Sequence, residues 1–467
     1  MGVGKQEARE YGPWSQGFPI VVTSPSLPPG VLNGNDRAWS PRRRSAVVGR
    51  SPRPTTPPAQ PAVNRMPSTV GLLVVLALVA SACAGSTGDE QVVPSTTGAT
   101  PTSTSRSVGS DPSTADPPLP GPSALRDRFD PALPTPLVDP GLLRSGGPPP
   151  DGIPPIDQPS FIATADAIHL DAVEPVLAFS VGDDHRAYPI RIMIWHEIVN
   201  DTVGGVPVAV TYCPLCNSAV AYDRRLDGRT LTFGTSGMLY NSALVMYDRQ
   251  TESLWSHFTG EAIIGRLVGH SLDVLPVSTV SWGQWSAAHP DGLVLSADTG
   301  FARDYGRNPY PGYDDVGTPP FLFQGETDDR LLAKRRVIGI LGDGGAVAVR
   351  RDLLAEAGVV EFQIDGAPMV ALHDTGMASA LDDGSIAEGR DIGTAGVFSS
   401  VLDGRRLHLR SGPDGFVDDE TSSGWNVLGE AVSGPLAGQV LDPVVHVDTF
   451  WFAWAAFRPG SSIVPVP

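Results

Sequence analysis

Residues 260–290 read GEAIIGRLVGHSLDVLPVSTVSWGQWSAAHP, and residues 429–459 read GEAVSGPLAGQVLDPVVHVDTFWFAWAAFRP. The two stretches align without a gap at a constant offset of 169. Twelve of their 31 positions are identical, among them Gly260/Gly429, Asp273/Asp442, Trp282/Trp451, Trp285/Trp454 and Pro290/Pro459. So long an ungapped match marks an internal repeat, which has to be recognised before any element is assigned. Upstream the correspondence continues with small length changes: Asp227-Gly228-Arg229-Thr230-Leu231 parallels Asp403-Gly404-Arg405-Arg406-Leu407, and residues 186–191 parallel 345–350. Residues 176–300 and 337–461 are therefore expected to be two tandem copies of one unit. Within residues 156–467 they would share a core as a single pseudo-symmetric body.

The texture of each copy is that of a β-rich α+β fold. Short apolar runs are broken by Gly, Asp and Pro at close intervals. Val208–Tyr212, Ser218–Tyr222 and Thr230–Phe233 read as strands, with Asp227-Gly228 supplying a hairpin turn between the last two. One helix is expected over Val280–Ala288, capped by Ser278 and Thr279 and stopped at His289-Pro290. Trp282 and Trp285 fall three residues apart on that helix, a spacing that suits core packing.

The copies differ at one place that bears on chemistry. The first reads Tyr212-Cys213-Pro214-Leu215-Cys216-Asn217, whereas the aligned stretch of the second is His373-Asp374-Thr375-Gly376-Met377-Ala378. A role common to both copies is excluded for the cysteines. A Cys-x-x-Cys pair can be a structural or redox disulfide, or supply two ligands to copper or zinc. The following residues read as a strand and not as a helix, so the turn resembles a metal knuckle more than a thioredoxin site. A knuckle supplies two ligands, and His196, His257 and Met238 are the candidates to complete the set, all in the first copy. His196-Glu197 is not part of a zinc-protease HExxH helix, because position 200 is Asn; no GxSxG elbow or full GxGxxG loop is present either. Between the copies, residues 299–315 place Arg303, Asp304, Tyr305, Tyr310 and Tyr313 on a Pro/Gly-rich loop that suits either a ligand cleft or an ordered linker.

The N-terminal third reads differently. Residues 70–82 form a short apolar run, too short to span a bilayer and of the length of a signal-peptide core. It ends in Ala80-Ser81-Ala82-Cys83, which resembles a lipobox with Cys83 as the lipidated residue; an uncleaved anchor is the alternative. Residues 66–83 are thus expected to be a lipoprotein signal, and 84–155 a Ser/Thr/Pro-rich disordered tether. Residues 1–65 are expected to be a leader upstream of the true start. An exported protein, anchored by lipid to the outer face of the cell membrane, follows. Beyond residue 83 there are 24 basic against 48 acidic residues, a net of −24. Such a surface repels nucleic acid. Lys334 is the only lysine there, which argues against Schiff-base and P-loop chemistry.

Three runs together carry a resemblance: Thr211–Ser218, Phe233–Gly237 and Met246-Tyr247-Asp248-Arg249-Gln250-Thr251-Glu252-Ser253-Leu254-Trp255. They look like the bacterial and archaeal family known as domain of unknown function 3179, which the 299–313 stretch also resembles. The resemblance covers most of residues 165–460 and implies exported or membrane-anchored proteins without an assigned activity. Three functions stay open on the sequence: a copper- or zinc-binding or metal-dependent redox protein, a metal-free thiol–disulfide protein, and a non-enzymatic binding module with a structural disulfide.

Overall fold

The computed structural model describes residues 116–342 and 344–465. The leader, the signal run, Cys83 and the tether as far as residue 115 lie outside them. Among the described residues no helix is long and apolar enough to cross a membrane.

The described residues are β-rich, with several small sheets and four short α-helices. In the first half β1 (Pro175–Val181) and β2 (Asp184–Pro189) lead into α1 (Ile190–His196), followed by β3 (Ile198–Val203), β4 (Val206–Cys213) and β5 (Ser218–Asp223). A meander then runs through β6 (Phe233–Tyr240), β7 (Ala243–Asp248), β8 (Leu254–Ser256) and β9 (Ala262–Ile264), and β10 (Ser278–Ser281) feeds α2 (Trp282–Ala288). In the second half come β11 (Arg336–Gly342), β12 (Gly345–Arg350), α3 (Arg351–Ala357), β13 (Val359–Ile364), β14 (Ala367–Asp374) and β15 (Thr394–Ser399). They are followed by β16 (Leu409–Gly412), β17 (Gly415–Asp418), β18 (Gly424–Trp425), β19 (Ala431–Ser433), β20 (His446–Phe450) and α4 (Trp451–Phe457).

Strand order is alike in the two halves. β10 pairs β1, which pairs β2, and likewise β20, β11 and β12; β3-β4-β5 form an antiparallel run, as do β13-β14-β15. β6 to β9 form one meander and β16 to β19 another. Asp-Gly or Gly-Gly pairs with positive φ close several hairpins: Gly204-Gly205 between β3 and β4, Asp365-Gly366 between β13 and β14. Two left-handed residues in succession give the turn twist that matches paired strands. A side-chain detail also recurs. Asp248 accepts the Trp255 Nε1–H at 2.9 Å and binds Thr251 and Ser253, while Asp418 accepts the Trp425 Nε1–H at 2.9 Å and binds Thr421 and Ser423.

β4 and β5 are mostly apolar and buried on both faces, as strands covered on each side must be. They form the centre of the largest core cluster with Ile192, Ile194, Phe233 and Trp255. The paired tryptophans are buried: Trp285 and Trp451 at 0% exposed, Trp454 at 1% and Trp282 at 7%.

Three expectations are corrected. The helix expected over Val280–Ala288 begins only at Trp282, because Ser278 to Ser281 pair with β1 from Ala178 to Pro175; the cap is Ser281, whose Oγ accepts the Gln284 N–H. The strand expected over Thr230–Phe233 is divided, with Arg229–Thr230 closing the Asp227-Gly228 hairpin and β6 starting at Phe233. Residues 116–155 are structured and do not behave as tether. Arg144–Ser145 pairs with β6, and Ala124 and Leu143 are buried against Val245, Leu254 and Ile264. Few aromatics are needed there, since the segment covers a strand edge whose backbone supplies hydrogen-bond partners.

Candidate functional site

Cys213 ends β4 and Cys216 lies in the turn before β5, with Cys213 opposite Ser218 as the last residue pair. The Asn217 N–H donates to the Pro214 carbonyl at 3.2 Å, and Asn217 takes a φ of 49° to return the chain. Both thiols are free and buried. The turn leans on the second half of the chain: the Cys216 carbonyl accepts the Phe450 N–H at 3.1 Å and the Thr449 hydroxyl at 2.7 Å, both from β20.

The two sulfurs have opposite surroundings. Cys216 adjoins Ser218, Sγ to Oγ 2.9 Å. Burial, then the hydrogen bond to Cys213 and its charge, push the Cys216 thiol well above its ordinary value. Burial also works against ionising Cys213. There, however, the Cys216 side chain and the backbone N–H groups of Cys216, Leu244 and Leu215 outweigh it and hold that thiol below the ordinary value. The Leu244 N–H reaches Cys213 Sγ at 3.4 Å from β7. Hydrogen bonds that favour a charged form lower its pKa in this way. The surroundings thus push the two thiols in opposite directions, Cys213 toward easier ionisation and Cys216 away from it.

A chain of hydrogen bonds continues from Cys216. Ser218 Oγ lies 2.8 Å from His257 Nε2, and His257 Nδ1 lies 3.0 Å from Thr211 Oγ1. The Thr211 hydroxyl proton is committed to the Val220 carbonyl at 2.7 Å. Thr211 can therefore only accept from His257, which puts the ring proton on Nδ1 and leaves Nε2 free to accept from Ser218. Ser218 in turn can accept the Cys216 thiol proton. The ring itself is fixed by its main chain: the His257 N–H donates to Leu244 and the Tyr222 hydroxyl donates to the His257 carbonyl at 2.6 Å. Burial pushes the His257 pKa down to about 3, so the imidazole is neutral at rest.

Glu197 and two tyrosines border the Cys213 side. Glu197 is 7% exposed, and no described residue forms a hydrogen bond with its carboxyl. Burial, and then the Cys213 charge, push that carboxyl well above the usual carboxylate range. Burial raises the Tyr310 hydroxyl first, with the charges of Glu197 and Cys213 adding to it. The Tyr313 hydroxyl donates to the Leu215 carbonyl at 2.9 Å and is pushed up to about 12, chiefly by burial. Lys334, 1% exposed, fastens this wall: its ammonium donates to the Tyr313 carbonyl and the Thr318 hydroxyl and sits 4.4 Å from the Tyr313 ring centroid.

Of the residues singled out from sequence, Cys213, Cys216, His257, Tyr310 and Tyr313 come together. His196 does not join them. Its Nδ1 is 2.6 Å from the Pro154 carbonyl and its Nε2 is bound to the Tyr305 hydroxyl at 2.5 Å, which also meets Thr299. Met238 lies on β6, its sulfur 3.9 Å from an Arg128 nitrogen. Arg303 and Asp304 are exposed. Among the described residues no group of three or more His, Cys, Asp or Glu side chains is arranged to hold a metal ion. Sequence reasoning missed Ser218, Thr211 and Glu197: the first two sit in strands read as core, and the third was noted only as a neighbour of His196.

In the second half the equivalent strands β14 and β15 end at Asp374 and Thr394, joined by residues 375–393 in place of the short cysteine turn. A charged cleft of about 780 Å³ opens beside that segment, lined by Arg336, Arg351, Asp352, Asp382 and Arg390.

A family model described as "Protein of unknown function (DUF3179)" matches residues 150–461. No curated protein and no solved structure matches the chain.

Proposed function

The chain belongs to the DUF3179 family, whose description assigns no activity, and from the residues themselves we propose that it is a thiol–disulfide exchange protein acting through Cys213 and Cys216. One observation carries this: the two buried sulfurs are differentiated, Cys213 by the Leu244 N–H at 3.4 Å and Cys216 by a relay to a neutral histidine. Cys213 attacks a disulfide R–S–S–R′, forming a mixed disulfide and releasing R′–S⁻. Cys216, hydrogen-bonded to Ser218 and through it to the neutral His257, then attacks the Cys213 sulfur. The Cys213–Cys216 bond forms, the Cys213–SR bond breaks, and the departing sulfur takes the Cys216 proton to leave as R–SH. The partner is reduced by two electrons and the dithiol is oxidised by two.

A second reading has two sulfurs holding a soft cation, copper or zinc. The position of the Cys-Pro-Leu-Cys turn between two strands, and not at a helix start, favours it. Elemental analysis of chelator-free protein with parallel thiol titration separates the two. Two titratable thiols, no metal, and a reversible two-electron potential support the exchange reading. Stoichiometric metal, absent from Cys213→Ser, overturns it.

Two wider readings belong with this one. The likeness of strand order, of the Asp248–Trp255 and Asp418–Trp425 bonds, and of the contacts of β5 with β20 and of β15 with β10 supports two copies related by an approximate two-fold axis. The Ala80–Cys83 pattern supports a lipid-anchored, exported protein; Cys83→Ser would then release it from membranes on fractionation.

A further inference from the structure

Glu197 closes α1 with φ 60° and ψ −30°, a backbone conformation that side chains rarely adopt. The equivalent helix, α3, closes on Gly358 with φ 74° and ψ −41°. The backbone bonds at the two positions are the same. The Glu197 N–H donates to Met193 at 2.7 Å and its carbonyl accepts from Tyr212 at 2.8 Å; the Gly358 N–H donates to Leu354 at 2.8 Å and its carbonyl accepts from His373 at 2.8 Å. Where the fold uses glycine in one half, the half that carries the thiols keeps a glutamate. Its carboxyl is buried, free of hydrogen bonds to described residues, and close enough to Cys213 and Tyr310 for their charges to act on one another. A structural role does not explain it, since among the described residues its carboxyl caps no N–H and pairs with no cation. Strained residues with such side chains concentrate at functional sites.

We propose that the Glu197 carboxyl is the proton donor of the Cys213 site, supplying the proton that the leaving thiolate takes when Cys213 attacks a disulfide. The inference rests on the exchange reading above. In the step, the Cys213–S bond forms, the S–S bond of the disulfide breaks, and the departing R′–S⁻ takes the Glu197 proton to leave as R′–SH. One negative charge enters on Cys213 and one remains, on the Glu197 carboxylate. The timing follows from repulsion between like charges. Burial is the main reason Glu197 stays protonated, and a Cys213 thiolate adds to it; once Cys213 is in a disulfide the added repulsion is gone, and the carboxyl becomes a stronger acid than before as the leaving sulfur needs a proton.

Glu197→Gln and Glu197→Gly test this in the full chain, the second because Gly358 shows that glycine suits the position. Exchange rates at neutral pH are measured with two probes. Dithionitrobenzoate releases an aryl thiolate that needs no proton, and hydroxyethyl disulfide releases an alkyl thiolate that does. Both variants are expected to keep the wild-type melting temperature and the wild-type rate with dithionitrobenzoate. With hydroxyethyl disulfide they should slow by about a hundredfold. Unchanged rates with both probes would overturn the role of Glu197 and leave the exchange reading standing. A wild-type protein inert to both probes would overturn both.

Discussion

Thr211 decides which nitrogen of His257 carries the proton. Its hydroxyl is spent on the Val220 carbonyl, so the 3.0 Å contact with Nδ1 can only be a bond donated by the ring. Thr211→Val removes that acceptor while keeping the shape of the side chain. The exchange rate at the dithiol is expected to fall by about ten- to a hundredfold, with an imidazole tautomer shift visible by nitrogen NMR. Retention of both the Nδ1–H signal and the rate would refute the relay.

The two sulfurs should titrate in opposite senses. In Cys216→Ser the remaining Cys213 is expected to react with iodoacetamide at a lower pH midpoint than Cys216 does in Cys213→Ser. Burial works against ionisation at both; at Cys213 it is opposed by a donor at position 216, which serine still supplies, and by the Leu244 N–H at 3.4 Å. Equal midpoints would remove the basis for assigning Cys213 as the attacking sulfur.

Acid should destabilise the fold through His257. Its folded-state pKa of about 3 lies below the ordinary 6.5, so the unfolded chain binds the proton first. This contribution is complete above pH 6.5 and is lost as pH falls toward 3. Over that window one differential proton costs about 1.4 kcal/mol per pH unit. His289, lowered to about 4 mainly by burial, adds in the same direction. Urea titrations across the window should show the slope, and His257→Gln should reduce it by about one proton.

Lys334 is predicted to keep the thiols covered. Lys334→Met removes the donors to the Tyr313 carbonyl and the Thr318 hydroxyl and the charge over the Tyr313 ring. A stability loss of about 1–3 kcal/mol is expected, together with faster alkylation of Cys213 and faster amide exchange across residues 305–318. Unaltered alkylation would show that the tyrosine wall does not control access.

Asp248 and Asp418 should be equivalent in energy as they are in geometry. Replacing either by Ala strands a buried Trp N–H and neighbouring Thr and Ser donors, at about 1–3 kcal/mol for each buried group left unpaired. Thermal melts of Asp248→Ala and Asp418→Ala should shift by similar amounts.

Much of this architecture was legible in the chain. The Trp282/Trp451 and Trp285/Trp454 identities located both tryptophan helices, and Asp227-Gly228 named its own turn because few other pairs tolerate two left-handed residues. The start of α2 was misjudged because Ser278 and Thr279 can cap a helix or continue a strand, and pairing with β1 decides between them. At the site, the Cys-x-x-Cys spacing exposed the sulfurs. Ser218 and Thr211 stayed hidden because hydroxyls in a buried strand look like core until a histidine from another strand is placed beside them. Glu197 stayed hidden because its strain lies in a backbone angle, and no residue type announces one.

The carbonyl of Cys216 is held by β20, so the Cys213–Cys216 turn of one half is seated on a strand of the other. The thiol-free half is therefore a keystone and not a remnant. Cutting the chain between the halves would not yield a smaller working dithiol protein, because the turn that carries Cys216 would lose two of its anchors.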